Sequence, residues 1–374
     1  MRRSSSALLP LAAALERLLA EVHPVPPRRG PPGAALGAIA SRDVLASANI
    51  PARPVAMRDG WAVSFAAVAG ASPNSPVLLP VAPPWIEAGA EMPGDCDTVL
   101  VPDAVEAGSR EVNAEGAPGG GVAQTGSEIR PGDAILCAGE PIGPQHLLAL
   151  AIAGIREIDT LAPRIAFLAQ GGERGRDALA PTLAALVAEG GGEVVRAGPP
   201  PDEVSGTVAA ITRAADDAEA VFVLGGTGFG RTDTSAAALT EAGRLQAHGI
   251  GLRPGETAGF GRVGRCPVLL LPGRPDGALA TFLTLGRPLL DRLSGRAHRP
   301  PGEALPLARK VSSGIGVSEV IFVRRTAAGL EPLAGAGIPL RRLLQAEGFV
   351  LVPPECEGFP SGTSVEMMPL WRNR

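Results

Sequence analysis

The chain has 374 residues, of which 45% are hydrophobic and 19% are charged, and its formal net charge is -4. This length exceeds one ordinary hydrophobic core, so we expect about two to four domains. A weakly acidic chain with three tryptophans and no tyrosine gives no basis for a nucleic-acid partner. The four cysteines form no Cys-x-x-Cys pair and the four histidines show no metal-ligand spacing, so neither a zinc site nor a disulfide framework is expected.

The first predicted element is an amphipathic helix near residues 8–22. Leu11, Leu15 and Leu18 recur there at helical spacing. The basic and then apolar start resembles a signal peptide, but Glu16 interrupts the apolar run. No apolar segment is long enough for a membrane span, so we expect a cytoplasmic protein without a membrane partner.

Residues 30–158 contain short apolar runs broken by proline and glycine. They predict short strands and turns, with a helix at 143–154. The last stretch, 304–374, returns to this β pattern and predicts a small β-barrel or sandwich of about 70 residues. A linker is predicted at 294–303, which is rich in proline and glycine.

The central region, residues 160–297, alternates between strands and helices. Strands are predicted at 164–170, 193–198, 220–226 and 267–273, and helices at 182–190, 202–218, 233–243 and 276–293. The strands are continuous apolar runs, which indicates burial on both faces. The alternation predicts an α/β domain with a doubly wound, mostly parallel sheet.

Ligands of such sheets bind beyond the carboxyl ends of the strands. Four loops at this edge contain glycine and a charged residue: AQGGER (169–174), GGTGFGRTD (225–233), RPGE (253–256) and LPGRP (271–275). Backbone N–H groups and a following helix N-terminus favour an anion there. Four arginines would converge on it, namely Arg174, Arg231, Arg253 and Arg274.

The glycine loop 225–233 matches no standard nucleotide motif. It has no Gly-Lys-Ser or Gly-Lys-Thr of a P-loop, and Arg231 stands where a dinucleotide fingerprint needs its third glycine. A bare glycine loop is more often a structural connection, and Asp233 could simply cap the next helix. A second unusual segment is VAMRDGWAV (55–63), where Asp59 and Gly60 signal a turn between residues that are apolar for a surface turn.

Seven segments, in this order along the chain, resemble motifs of the molybdopterin molybdotransferase family, the MoeA and gephyrin E-domain type. The first, residues 36–63, ends in a counterpart of the family's Met-Asp-Gly-Tyr-Ala. The glycine loop resembles Gly-Gly-Val-Ser-Val-Gly-x-x-Asp, and residues 271–282 resemble Leu-Pro-Gly-Asn-Pro-Val-Ser-Ala. The remaining four segments are 86–106, 126–142, 163–174 and 252–261.

The resemblance implies an α/β multidomain protein with four domains. They are an N-terminal dimerisation or linking domain (1–50 with 125–158), an inserted β-rich domain (51–124), a molybdopterin-binding α/β domain (159–298) and a C-terminal β domain (304–374). It further implies a homodimer that inserts molybdate into adenylylated molybdopterin with Mg2+. Its partners would be the pterin-phosphate substrate and other molybdenum-cofactor proteins or a molybdoenzyme.

Site residues carry over by motif. Asp59, Glu173 and Asp233 match family acids and are predicted to be catalytic and to bind Mg2+. The predicted pterin-phosphate contacts are Gly225, Gly226, Thr227, Gly228, Gly230, Arg253, Pro254, Gly255, Pro272, Gly273, Arg274 and Pro275.

The chain also departs from the family pattern within these motifs. A threonine, an aspartate and a serine of the family are replaced by Ala88, Gly172 and Gly228, and Gln170 replaces a further threonine. The second lysine of Lys-Pro-Gly-Lys-Pro is Glu256, and Arg274 replaces an asparagine. Because the residues of one site act as a unit, three hypotheses stay open: a molybdotransferase with a rearranged site, a non-catalytic protein that binds or delivers molybdopterin, and a structural paralogue of an active subunit.

Overall fold

The computed structural model of the protein describes residues 8–170, 173–196, 203–230, 233–297 and 302–370, without the side chains of 173–178 and 196. The chain forms two compact units: a first unit of Met1–Arg42, Ala138–Pro144 and Glu157–Arg374, and a second unit of Asp43–Cys137 and Gln145–Arg156. Within the described ranges, every helix is too short or too polar to cross a membrane. The four-domain division stays a prediction.

A six-stranded sheet is the centre of the first unit. Its strands in chain order are β1 (Arg164–Ala169), β2 (Glu193–Arg196), β3 (Ala220–Leu224), β4 (Arg244–His248), β5 (Gly259–Val263) and β6 (Cys266–Leu271). They lie in the spatial order β2-β1-β3-β6-β5-β4. The first four of this order are parallel, and β5 and β4 add an antiparallel edge. Every residue of β3 and β6 is buried, as continuous apolar runs predict.

Helices cover both faces of this sheet. They are α1 (Glu173–Glu189), α2 (Val204–Asp217), α3 (Ser235–Ala242), α4 (Pro275–Thr281) and α5 (Arg287–Leu293), with a π-helical turn at Phe282–Gly286 between the last two. One core includes Phe167, Phe222 and Phe282, whose rings form edge-to-face contacts at 5.5 and 6.1 Å. The other core packs Val221 and Val223 against α2 and α3. The doubly wound α/β prediction is confirmed.

Two strands of this six-stranded sheet were not predicted from the sequence. Both belong to the antiparallel edge, β4 and β5, where polar and half-buried residues interrupt the apolar run. The first central helix also begins earlier than predicted, at Glu173 instead of 182, and continues through Pro181.

The predicted C-terminal β region, residues 304–374, forms a sheet together with strands from earlier in the chain. Its seven strands are Leu9–Pro10, Ile250–Arg253, Ser318–Thr326, Gly348–Val352, Ser364–Pro369, Glu303–Pro306 and Gly329–Ala334. Leu252 and Arg253 pair in parallel with Ser318 and Glu319. The strand that ends at Arg253 therefore belongs to this sheet. The expectation that the loop 253–256 follows a strand of the doubly wound sheet is wrong.

Smaller elements complete the first unit. The predicted amphipathic helix spans Leu11–Leu19 and buries Leu11, Ala14 and Leu18. The others are a three-stranded sheet (Arg28–Gly30, Ile158–Leu161, Ile39–Ala40), a strand pair (Val311–Ser312, Gly358–Phe359), a 3-10 turn (Pro32–Ala34) and a short helix (Leu340–Leu343).

The second unit has the predicted pattern of short strands. They are Val44–Leu45 with Ala134–Leu136, Val55–Ala56 with Val122–Ala123, Val77–Leu78 with Glu111–Val112, and the trio Trp85–Ile86, Gly60–Val63 and Thr98–Leu100. Its helical elements are Phe65–Val68, Pro102–Ala104 and Pro144–Ile152, the last of which confirms the predicted helix at 143–154.

Candidate functional site

Strand-end loops of the sheet meet at its carboxyl edge. The Gln170 N–H donates to Leu224 O at 2.7 Å, and the Gly225 N–H donates to Leu271 O at 2.9 Å. Gly225 has a φ of 81°, and a Cβ on Gly273 would lie 3.4 Å from the Gly225 Cα. Glycine at 225 is required by its left-handed backbone, and the close contact brings the two predicted pterin-phosphate loops together.

The glycine loop closes on its own aspartate. The Gly230 N–H donates to Asp233 Oδ2 at 2.9 Å, and a Cβ on Gly228 would collide with the same carboxylate. The helix-cap reading of Asp233 is wrong, because Thr234 occupies the cap position of α3. The carboxylate instead accepts from one backbone N–H of the glycine loop, the type of donor that also binds anions.

A polar network supports the loop from behind. Gln170 Nε2 donates to Thr207 Oγ1 at 2.6 Å, and Ser235 Oγ lies 2.8 Å from Gln170 Oε1 and 2.7 Å from Gly225 O. A Cβ on Gly226 would collide with Gln170 Oε1. The family has a threonine at position 170. The longer side chain of Gln170 instead lies behind the loop, in the space that a side chain at position 226 would occupy.

The loop that begins at Arg253 contains a surface ion pair. Glu256 Oε1 accepts from Arg253 Nε at 3.3 Å, and its Oε2 accepts from the Gly255 N–H at 3.1 Å. Both side chains are roughly half exposed, at 44% and 41%. The acid at the family's lysine position therefore neutralises the neighbouring arginine and also engages one backbone donor of the loop.

Arg274 is held by a buried aspartate. Arg274 Nε and Nη2 donate to the two oxygens of Asp276 at 3.2 and 3.1 Å, and the Gly337 N–H donates to Asp276 Oδ2 at 2.6 Å. The Asp276 side chain is 5% exposed and that of Arg274 is 74% exposed. Burial opposes ionisation of Asp276, but the hydrogen bonds from Arg274, Gly337 and Gly277 outweigh it and hold the pKa of this carboxyl below its usual value.

An aromatic pair lies beside the glycine loop. The Phe229 and His248 ring centroids are 5.0 Å apart, and His248 Nε2 lies 2.8 Å from Thr227 O. A carbonyl oxygen only accepts, so this ring nitrogen carries the proton. Thr227 is buried and its hydroxyl lies 3.1 Å from that of Thr257, at the root of the next loop.

Of the three predicted acids, two have described side chains. Asp233 lies in the glycine loop, whereas Asp59 belongs to the second unit, where its Oδ1 accepts from the Ala88 N–H at 2.7 Å. The Glu173 side chain, Gly172, Arg174's side chain and Arg231 lie outside the described residues. Within the described ranges, His, Cys, Asp and Glu side chains form no group of three suited to a metal ion.

Sequence reasoning missed three contributors to this edge: Asp276, Phe229 and His248. Asp276 had a signal, because an acid two residues after Arg274 in the motif LPGRPDGA stands where the family has valine. His248 had a weak one, because it ends the unpredicted strand β4, whose five residues RLQAH alternate between polar and apolar.

Two family models together match most of the chain. The model of the MoeA N-terminal region (domain I and II) matches residues 9–154, and that of the "probable molybdopterin binding domain" matches residues 159–292. Both models agree with the motif resemblance, and the second coincides with the six-stranded sheet and its helices.

Individual relatives align along most of the chain. The molybdopterin molybdenumtransferase 2 of Mycobacterium tuberculosis is 26% identical over 378 residues, which cover 90% of this chain and 93% of the relative. The molybdopterin molybdenumtransferase of Haemophilus influenzae is 27% identical over 295 residues, which cover 70% and 72%. A crystal structure of the molybdopterin biosynthesis MoeA protein of Pyrococcus horikoshii superimposes with a TM-score of 0.73 at 26% identity, covering 97% of this chain and 99% of that one.

Proposed function

This chain belongs to the MoeA family of molybdenum cofactor biosynthesis, and from that premise we propose that it is a molybdopterin molybdotransferase. In this proposal the protein binds adenylylated molybdopterin, inserts molybdate into its dithiolene and releases AMP. The cofactor-binding residues are those of the glycine loop and of the loops at Arg253–Gly255 and Pro272–Pro275.

The observation that carries the proposal is the meeting of these loops at one edge of the sheet. Gly225 and Gly273 approach at backbone distance, and Thr227 contacts Thr257 in the loop after Arg253. A phosphorylated ligand and an oxyanion such as molybdate both need convergent N–H groups and cations. The exposed guanidinium of Arg274 supplies such a cation beside the loop.

The donors of this site are already engaged by carboxylates of the chain. Asp233 accepts from Gly230, Glu256 from Arg253 and Gly255, and Asp276 from Arg274. A ligand phosphate would take over the Gly230 and Gly255 N–H groups from Asp233 and Glu256. Asp276 is buried and keeps its place, so Arg274 would contact the ligand with its remaining N–H groups.

We also propose that Asp59, Glu173 and Asp233 supply the carboxylate ligands for Mg2+, which would neutralise phosphate oxygens during cleavage of the phosphoanhydride. Carboxylates are the donor type that this ion prefers, and Asp233 lies in the glycine loop itself. Homodimer formation and a cytoplasmic location are further parts of the proposal.

A second candidate function is non-catalytic binding or delivery of molybdopterin or of the finished cofactor. The engaged carboxylates favour it, because they occupy donors that a transferase would present to its transition state. Delivery would require a further molybdenum-cofactor protein or a molybdoenzyme as partner.

One assay distinguishes the two functions. The purified protein is incubated with adenylylated molybdopterin, molybdate and Mg2+, and released AMP is measured. We expect AMP release that Asp59→Asn and Glu173→Gln abolish, whereas Asp103→Asn, in an exposed turn of the second unit, retains it. Asparagine at 59 keeps an acceptor for the Ala88 N–H, so the turn survives. Tight binding without AMP release would establish the binding or delivery function instead.

The contribution of Arg274 is measured separately, by titration with pyrophosphate. Arg274→Ala removes the exposed cation, so we expect weaker binding, by about fivefold to tenfold for one charge-assisted contact. Unchanged affinity in this variant would contradict the placement of the phosphate beside Arg274.

A further inference from the structure

An exposed phenylalanine stands at the tip of the glycine loop. Phe229 lies between Gly228 and Gly230, and 70% of its surface is exposed. Among the described residues it is the one phenylalanine in the exposed class, while the others are buried or half-buried. The phosphate contacts do not require an aromatic ring. The exposed ring beside the predicted phosphate site therefore needs another explanation.

The ring of Phe229 rests on a fixed support. Its neighbour His248 lies at a centroid distance of 5.0 Å and an interplanar angle of 41°. His248 is held in turn by the hydrogen bond from its Nε2 to Thr227 O, and Thr227 is only 2% exposed. The Phe229 ring thus contacts a histidine that is itself anchored to the loop, and 70% of the residue remains exposed.

We propose that Phe229, backed by His248, is a stacking platform for the planar fused heteroaromatic ring of the ligand whose phosphate binds the glycine loop. This inference rests on the proposed function for the phosphate contacts. A pterin and an adenine both present a flat π surface, and stacking of such rings on phenylalanine does not depend on hydrogen-bond pattern. The loop motif has valine at this position in the family, so the platform is a property of this chain.

The other explanation is an incidental surface side chain, because single exposed apolar residues are common. The two readings differ in what the ring contributes. A platform strengthens binding of ligands with an aromatic ring and leaves ring-free phosphates unaffected. An incidental side chain affects the binding of neither kind of ligand.

The test uses three probes on the full-length protein: pyrophosphate, 6-hydroxymethylpterin and 6-hydroxymethylpterin monophosphate. Binding of the pterins is followed by quenching of their fluorescence, and binding of pyrophosphate by calorimetry. AMP and ribose 5-phosphate form a second pair, with and without an adenine, which distinguishes the two rings. The variants are Phe229→Leu, which keeps apolar bulk, Phe229→Trp, which keeps an aromatic ring, and the control Leu344→Ala, which shortens a side chain that is 80% exposed outside the loop.

We expect Phe229→Leu to weaken pterin monophosphate binding by about tenfold and to leave pyrophosphate affinity unchanged. Phe229→Trp should restore the pterin affinity and its quenching, and Leu344→Ala should change neither. Equal pterin affinity and quenching in wild type and Phe229→Leu, or no pterin binding at all, would overturn the platform. Failure of pyrophosphate to bind would instead contradict the proposed phosphate site, while quenching of the uncharged pterin that depends on Phe229 would still support the platform.

Discussion

Two neighbouring loops of the site each pair an arginine with a nearby acid, and the pairs differ in burial. Arg253 and Glu256 are both about half exposed. In the second loop, Asp276 is nearly completely buried and Arg274 is exposed. The first pair is a surface ion pair, which contributes little to stability because water and salt screen it.

The buried acid has a structural role that the exposed one lacks. Asp276 accepts hydrogen bonds from Arg274 and from the Gly337 backbone, 61 residues further along the chain. It therefore fixes the guanidinium and also joins the binding domain to the turn after the strand Gly329–Ala334. The two motifs, RPGE (253–256) and RPD (274–276), look alike in sequence, but the acid of the first is exposed and the acid of the second is buried. The exposed acid is free to change its partner, whereas the buried acid holds its arginine in place.

The largest expected effect is on stability, when the buried acid is removed. Asp276→Ala leaves the Gly337 N–H without its acceptor and Arg274 without its partner. We expect the free energy of unfolding to fall by about 2 kcal/mol, measured by urea denaturation. The matched variant Glu256→Ala removes the exposed acid and should lower it by less than about 0.5 kcal/mol. Equal losses in the two variants would show that burial does not distinguish the pairs.

A second prediction concerns pH and uses the same buried carboxyl. The pKa of Asp276 is lower in the folded protein than its ordinary value, so its contribution to stability is present above the unfolded pKa of about 3.9. This contribution is lost as the pH falls through the folded pKa. We expect the stability difference between wild type and Asp276→Asn to shrink between pH 6 and pH 3. A difference that stays constant over this range would contradict an ionised Asp276.

The contrast between the loops also explains which features the sequence could predict. Strands β3 and β6 are continuous apolar runs that lead into glycine loops, and the sequence predicts each of their ends to within two residues. Strand β4 alternates polar and apolar residues (RLQAH) at a half-buried sheet edge. This alternation is a strand signal, but it is only five residues long and lacks the continuous apolar run that marks β3 and β6. The Asp276 anchor depends on Gly337, whose position is set by tertiary packing and by no local signal. Glycine and charge identified the strand-end loops, but which charges are already paired was visible only in three dimensions.

The glycine loop offers a smaller effect on stability. A side chain at Gly228 would collide with the Asp233 carboxylate, so Gly228→Ser should displace Asp233 from the Gly230 N–H. We expect a loss of about 1 kcal/mol in unfolding free energy and tighter pyrophosphate binding, because the freed N–H can donate to a phosphate oxygen. The control is Gly94→Ser, where an added Cβ would meet no atom within 4 Å. Weaker pyrophosphate binding in Gly228→Ser would mean that Asp233 positions the loop for the ligand and does not compete with it.

The smallest change in stability is expected at the exposed pair of Arg253 and Glu256. A substitution there mainly changes the local charge. Glu256→Gln keeps an acceptor for the Gly255 N–H but removes the negative charge from beside Arg253, so the unfolding free energy should change by less than about 0.5 kcal/mol. Pyrophosphate should bind about threefold more tightly at low ionic strength, and the gain should disappear in about 1 M salt, where the screening length is only a few ångströms. Glu355→Gln removes one charge from an exposed position elsewhere and therefore reports the effect of net charge alone. If both variants tighten binding equally, Glu256 acts through the overall charge of the protein; a gain confined to Glu256→Gln places the competing carboxylate at the phosphate site itself.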